Sequence, residues 1–233
     1  MTDAKLPIVS VDVLEREMYS EAEAARLLRV AQSTLHYWLE GITRGRKTYQ
    51  PIIRQEPRGE RSPVTWSEFI EAGLLRQYRR EHRVPMAELR AFIDLLRERY
   101  GIPYPLAHHR PYVADRQLLL EAQEASHLAA DFALVAVVRD QLILTPASQS
   151  FVERVTWDGD IAAGWRPHDD PRSPVRMDPG LRFGKPAVKG ISTEALWEHA
   201  DAGEAVEEMA EAFDLTADEV RWALAYEISA RAA

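Results

Sequence analysis

The chain has 233 residues, 46% of them apolar and 28% charged, with a formal charge of −8, which is the composition of a folded globular protein of one or two domains and not of a disordered or fibrous one. Even its apolar run from Ala133 to Val138 is far short of the roughly 20 residues that a membrane-crossing helix needs. It holds no cysteine, so disulfides, thiolate metal centres and cysteine nucleophiles are excluded. The start, Met1 to Pro7, lacks the basic segment and apolar stretch of a secretory signal, so a cytoplasmic location without membrane contact is expected.

Charge is unevenly placed. Residues 1–110 carry a net +3 and residues 111–233 a net −11. Within residues 193–233 the balance is −9, whereas Gly41 to Arg61 holds six basic and two acidic residues. This asymmetry predicts one module for a polyanion and another for a different partner.

Ser20, followed by Glu23 three residues on, has capping-box spacing and opens a helix that runs to about Leu28, with Ala24, Ala25, Leu27 and Leu28 on one face. Arg29-Val30-Ala31 is short enough to be a tight turn. A second helix over Gln32 to Leu39 buries Leu35, Trp38 and Leu39 and leaves Gln32, Ser33, His36 and Tyr37 on the other side, until Gly41 ends it. Two short helices joined this way form a helix-turn-helix, whose second helix fits the major groove of DNA. Thr48 to Gln55 reads as a strand, residues 56–61 as a turn and Val64 to Trp66 as a return strand, together a wing. Further helices are predicted over Ser67 to His82 and Pro85 to Tyr100, with Pro85 in the first turn and Gly101 just past the end.

Tyr19-Ser20, Ala25, Val30 and Thr34-Leu35-His36-Tyr37-Trp38 resemble the conserved run of MerR-type winged helix-turn-helix domains over residues 18–100. Ser33 and His36 stand where many such domains carry DNA-contacting arginines, which shifts the expected affinity toward the wing. There Arg44, Arg46, Lys47, Arg54, Arg58 and Arg61 lie where a DNA backbone would pass, and each phosphate neutralised would release a counterion. The DNA-binding candidates are therefore Gln32, Ser33, His36, Tyr37, Arg44, Arg46, Lys47, Arg58 and Arg61.

Pro103, Pro105 and Pro111 interrupt the helical pattern and suggest a linker over 101–111. Arg116 to Glu121, Gln141 to Thr145 and Phe151 to Trp157 read as strands, Ala133 to Val138 as a buried strand or helix, and Val175 to Pro179 as a further short strand, so residues 102–177 form a small β-rich linking or dimerising unit. Helices then follow at Thr193 to Ala202, Ala205 to Phe213 and Ala217 to Ala230, with Thr216 and Glu219 at capping-box spacing. Residues 207–220 have the spacing of a second helix-turn-helix, but its acidic face would repel phosphate.

Asp178-Pro179, the run Phe183 to Thr193, Ala202-Gly203-Glu204, Met209-Ala210 and Leu215 to Val220 resemble the small bacterial domain-of-unknown-function family 433. A winged helix-turn-helix ahead of such a domain resembles the VapB-like antitoxins that neutralise PIN-domain ribonuclease toxins. The resemblance implies that Arg182, Lys185 and Lys189 bind the toxin, whose metal-binding carboxylates would attract cations.

Other chemistries are weakly supported. His108-His109 and His168-Asp169-Asp170 are metal-capable, but they sit in proline-flanked loops without a helical His-x-x-x-His pair. Neither a Gly-x-Ser-x-Gly elbow nor a phosphate loop is present. The expected protein is mainly α with a β-rich middle (α+β), in modules 1–101, 102–177 and 178–233. It is expected to be a non-enzyme without metal or cofactor and a homodimer that binds operator DNA and a PIN-domain toxin. The candidate dimer surfaces are the Leu89, Phe92, Ile93 and Leu96 stripe, which fits an internal core equally well, and the middle unit. The alternative is a MerR-like regulator without a toxin, sensing a small molecule.

Overall fold

The computed structural model describes residues 13–59, 61–79, 86–139 and 141–231. Parts of the expected elements at Glu60, at Arg80 to His82 and at Pro85 lie outside the described residues, as does the Met1 to Pro7 start. Within them the chain is a mixed α+β fold whose sheets are small, two-stranded and antiparallel.

Strand β1 (Glu17–Tyr19) leads into α1 (Glu21–Leu28), where the Ser20 hydroxyl accepts the Glu23 N–H at 3.2 Å and satisfies one of the free donors of the first turn. Arg29 turns left-handed at φ 53 and closes α1. After Ala31 begins α2 (Gln32–Glu40), with Leu35, Trp38 and Leu39 fully buried. Gly41, at φ 75, ends it, and a Cβ there would lie 2.3 Å from the Tyr49 carbonyl oxygen, so no other residue fits. Strands β2 (Ile42–Arg44) and β3 (Lys47–Tyr49) pair as Ile42↔Tyr49, Thr43↔Thr48 and Arg44↔Lys47.

The strand expected over Thr48 to Gln55 stops at Tyr49, because tertiary partners take the backbone groups that follow. The amides of Ile52 and Ile53 donate to the Trp38 carbonyl at the end of α2, at 2.8 and 2.9 Å, and the buried Arg97 guanidinium donates to the Ile52 and Ile53 carbonyls. Strand β4 (Val64–Thr65) returns to β1, and the long helices α3 (Trp66–Arg79) and α4 (Met86–Tyr100) follow. Leu89, Phe92, Ile93 and Leu96 of α4 are buried in the chain's own core, which removes that stripe as a free dimer surface.

The segment expected as a linker is core. Tyr104, Leu106 and Ala107 are buried, with Pro105–Ala107 forming a turn of 3-10 helix. The middle is also less β-rich than its alternation suggested. It holds α5 (Arg110–Val113), α6 (Arg116–Ala125), the hairpin β5 (Val135–Val138) with β6 (Gln141–Leu144), α7 (Pro146–Arg154), and the hairpin β7 (Val155–Asp158) with β8 (Ile161–Trp165). Arg116 to Glu121 is helix because Leu119, Ala122 and Gln123 share a buried face, a spacing masked by the run Leu118-Leu119-Leu120. Phe151 to Trp157 divides, Phe151 closing the core under α7 and Val155 starting β7. Val175 to Pro179 contributes isolated bridges, Trp165↔Met177 and Arg176↔Ala187.

One core gathers buried residues from Val13 to Trp165, with Met177. The Trp66 indole donates to the Ala162 carbonyl at 2.7 Å, and Trp165 covers Gly73 closely enough that a Cβ there would touch it at 3.2 Å. A second core of Val175, Val188, Leu196, Met209, Val220, Ala223 and Tyr226 lies under β9 (Ala187–Val188), β10 (Ile191–Ser192), α8 (Thr193–Asp201), α9 (Val206–Ala212) and α10 (Ala217–Arg231). These helices fall within two residues of the sequence expectation. Thr216 and Glu219 make both halves of the expected capping box. No helix among the described residues is long and apolar enough to cross a membrane.

Candidate nucleic-acid and partner interfaces

The apolar face of α2 is committed to the core, so its opposite face is dictated. Gln32 and Ser33 are exposed, and His36 and Tyr37 are half-buried. The His36 Nδ1 faces the Glu21 carboxylate at 3.0 Å. This contact orients the imidazole from inside the fold.

The β2–β3 hairpin stands beside this helix. Gly45, at φ 63, opens its two-residue turn, which projects Arg44, Arg46 and Lys47 together. All three are exposed, and among the described residues none has a carboxylate within ion-pair distance. Lys47 lies over the Tyr49 ring, 5.0 Å from its centroid. Arg61 is exposed and likewise without an ion pair. The three hairpin cations, with no carboxylate partner among the described residues, form a ridge able to follow a polyanion.

Two of the six expected basic residues make contacts within the chain, Arg54 buried and Arg58 still 42% exposed. Arg54 is buried and meets Glu68 through two nitrogens at 2.9 and 3.0 Å, Glu40 through a third and the Pro63 carbonyl at 2.9 Å. The Glu40 carboxylate also accepts the backbone amides of Arg58 and Gly59 at 2.8 and 2.9 Å. Arg54 thus fastens the 54–59 loop to α2 and α3 and is removed from the candidate DNA-facing group. The Arg58 guanidinium turns toward Tyr104, 3.0 Å from its hydroxyl, and Glu68 at 3.3 Å. Behind this network Glu71 is fully buried, and the loss of solvation pushes its carboxyl up to about 7 against the pull of Arg97.

The histidine clusters do not converge. His108 faces Asp160 at 3.0 Å, His109 stacks on Trp157, and His168 bonds Ser173 at 2.6 Å beside Trp222 and Tyr226. The described residues contain no group of three or more His, Asp or Glu side chains able to hold a metal ion.

Arg182, Lys185 and Lys189 border the turns that lead from the first core into the second, close to the start of α1 through the Tyr19 hydroxyl on the Gly184 carbonyl, and they differ in freedom. Lys189 pairs with Glu219 at 3.0 Å and Lys185 with Glu194 at 3.7 Å. Arg182 uses its Nε on the Gly190 carbonyl at 3.0 Å. Two exposed apolar residues of the same turn, Leu181 and Phe183, lie outside the cationic set that the sequence indicates, although an aromatic next to a glycine in a polar loop is itself a signal.

Comparison with known proteins places this turn in context. Residues 175–226 match the family model described as "Protein of unknown function (DUF433)". The chain is 29% identical over 229 residues to the uncharacterised protein Rv2308 of Mycobacterium tuberculosis, covering 92% of this chain and 91% of that one. It is 26% identical over 222 residues to the candidate antitoxin VapB45 of the same organism, covering 89% and 92%. The crystal structure of Rv2018 from Mycobacterium tuberculosis shares the fold, with a TM-score of 0.72 at 24% identity over 91% of this chain and 99% of that chain.

Proposed function

We propose that this chain is an antitoxin that binds and neutralises a PIN-domain ribonuclease and represses its own operon. The observation that carries the proposal is the end-to-end similarity to a candidate antitoxin, 26% identical over 89% of this chain, in a molecule that presents exposed cations both on the β2–β3 hairpin and on the turn around Gly184.

In this reading α1 and α2 form the helix-turn-helix of a MerR-like winged domain. Helix α2 enters the major groove with Gln32, Ser33, His36 and Tyr37, and Arg44, Arg46, Lys47 and Arg61 follow the phosphates, with Arg58 contributing from the loop behind. The module 178–233, with its three-helix shape and acidic outer face, engages the toxin through Arg182, Lys185 and Lys189. Residues 102–177 join the two, and a second copy supplies the other half-site. Because the first core continues past residue 101 into the middle unit, the proposal is framed for the full chain.

Co-expression with the product of the neighbouring open reading frame, and a search of that product for a PIN domain, tests it. A stable complex that abolishes the ribonuclease activity and shifts the operon's own promoter DNA supports the proposal; a chain that neither co-purifies with the ribonuclease nor protects cells from it overturns it. A second reading, a MerR-like regulator that senses a small molecule, is favoured by a cleft of about 510 Å³ between Glu15, Glu17, Arg58, Thr65 and Tyr104, lined mainly by the N-terminal module with Tyr104 from the start of the middle unit.

A further inference from the structure

The turn from Leu181 to Lys185 is shaped to display an aromatic ring. Arg182, Phe183 and Gly184 adopt φ of 49, 53 and 70, a left-handed run that brings the Cβ of the two non-glycine residues against their own carbonyl oxygens. Such backbone persists only when its surroundings over-determine it, and here they do. Leu181 donates to the Asp178 carbonyl at 2.9 Å, Gly184 to the Leu181 carbonyl at 2.9 Å and Lys185 to the Arg182 carbonyl at 3.1 Å. The Asp178 carboxylate accepts the Gly180 amide at 2.6 Å, and the Gly184 carbonyl accepts the Tyr19 hydroxyl at 2.7 Å.

The product of this rigid turn is a Phe183 side chain that is 83% exposed beside a Leu181 that is 53% exposed. Phe183 belongs to neither hydrophobic core. A strained backbone that holds a large apolar ring in water works against the isolated fold twice over, and a partner that buries the ring reverses the second cost. A pre-organised aromatic with an arginine beside it also has the composition of an interface hot spot.

We propose that Phe183 is the anchor by which this chain holds its protein partner, entering an apolar socket whose rim carries carboxylates. The rim chemistry follows from charge. The exposed Arg182 has no carboxylate partner among the described residues, and Lys185 is held only at 3.7 Å by Glu194, so both cations are available to an acidic rim. A symmetric contact with a second copy would set Arg182 against Arg182. DNA would meet the acidic surface of residues 193–233, whose net charge is −9. The inference rests on the antitoxin reading, in which the partner is the PIN-domain ribonuclease, and it deepens that reading by assigning the anchor to a residue outside the cationic set.

The test measures binding of the full chain to the purified PIN-domain ribonuclease that the co-expression experiment identifies. Phe183→Ala is expected to raise Kd at least about 30-fold, mainly through faster dissociation, whereas Phe183→Tyr stays within about fivefold. Phe183→Asn, which tolerates the left-handed backbone, is expected to lose binding like the alanine variant, so a collapsed turn is not the cause. All three are expected to melt no lower than the wild type, because the ring packs on neither core, and the asparagine variant slightly higher, because it tolerates the left-handed backbone. Phe183→Ala or Phe183→Asn binding within about threefold of the wild type overturns the anchor while leaving the antitoxin reading intact. Absence of binding by the wild type overturns both.

Discussion

The hydroxyl of Tyr19 donates a 2.7 Å hydrogen bond to the carbonyl of Gly184 and so ties the residue that precedes the cap of α1 to the turn that carries Phe183. The bond is buried and spans 165 positions of sequence. It is reinforced by Arg16 on the Pro179 carbonyl at 2.9 Å and Arg29 on the Ser229 hydroxyl at 2.6 Å. Tyr19→Phe leaves the Gly184 carbonyl without this donor and is expected to cost about 1–2 kcal/mol. Gly184→Ala is expected to cost more, since its Cβ would sit 2.3 Å from the Tyr19 oxygen at φ 70. The double variant is expected to lose less than the sum of the two. Denaturant unfolding of the four proteins checks this, and strict additivity would mean that the residues do not act on each other.

The cationic ridge gives a salt-dependence prediction. Changing Arg44, Arg46 and Lys47 together to Ala is expected to weaken binding to all DNA sequences and to flatten the slope of log K against log salt by up to about three units. The control is Arg54→Ala, which strands the buried Glu68 and Glu40 carboxylates and is expected to cost about 3–5 kcal/mol of stability. Electrophoretic shifts at graded salt, paired with thermal melts, separate the two behaviours. An unchanged slope in the triple variant places the phosphate contacts elsewhere.

Glu71 makes stability depend on pH. Burial raises its carboxyl from 4.5 to about 7 in the folded chain, so between these values the folded state binds the proton and the unfolded state does not. The associated stability is fully present below about pH 4.5 and is lost as the pH rises through 7, approaching roughly 3 kcal/mol at pH 8. Glu71→Gln keeps an acceptor for the Leu106 amide, now bonded at 3.0 Å, and removes the charge. Its unfolding free energy is expected to exceed the wild type's at pH 8 and to approach it at pH 5.5. Parallel pH profiles for the two proteins would show that Glu71 carries no such linkage.

With the α4 stripe consumed by the core, the proposed homodimer has the β5–β6 hairpin left to use. Pairing of Ala136 with Ile143 and of Val138 with Gln141 puts these four on one face, where Val138 is 45% and Ile143 41% exposed. Leu142 and Leu144 pack from the other face onto the first core. The wild type is expected to sediment as a dimer at micromolar concentration and the Val138→Lys, Ile143→Lys double variant as a monomer with weaker operator binding. A dimer that survives the double substitution moves the interface off the hairpin.

Sequence by itself determined the helices at both ends of the chain. Their signals are local: Ser20 and Thr216 cap within one turn, Gly41 stops α2 through its own dihedral angle, and Leu35, Trp38 and Leu39 repeat at the helical period. The basic segment from Arg44 to Arg61 was equally legible as charge. What only tertiary structure decided is which of these charges is spent inside. Arg54 and Arg58 look like Arg44 and Arg46 in sequence, but Glu68 on α3 buries the first and shares the second with Tyr104, and an ion pair is set by distance in space. The same reason governs the middle. Arg116 to Glu121 became helix, and 104–107 became core, because α3, α4 and the β7–β8 hairpin offered apolar surface that no local pattern announces. Phe183 is the converse case, an apolar residue whose exposure is fixed by a turn that the Tyr19 hydroxyl holds from the opposite end of the sequence.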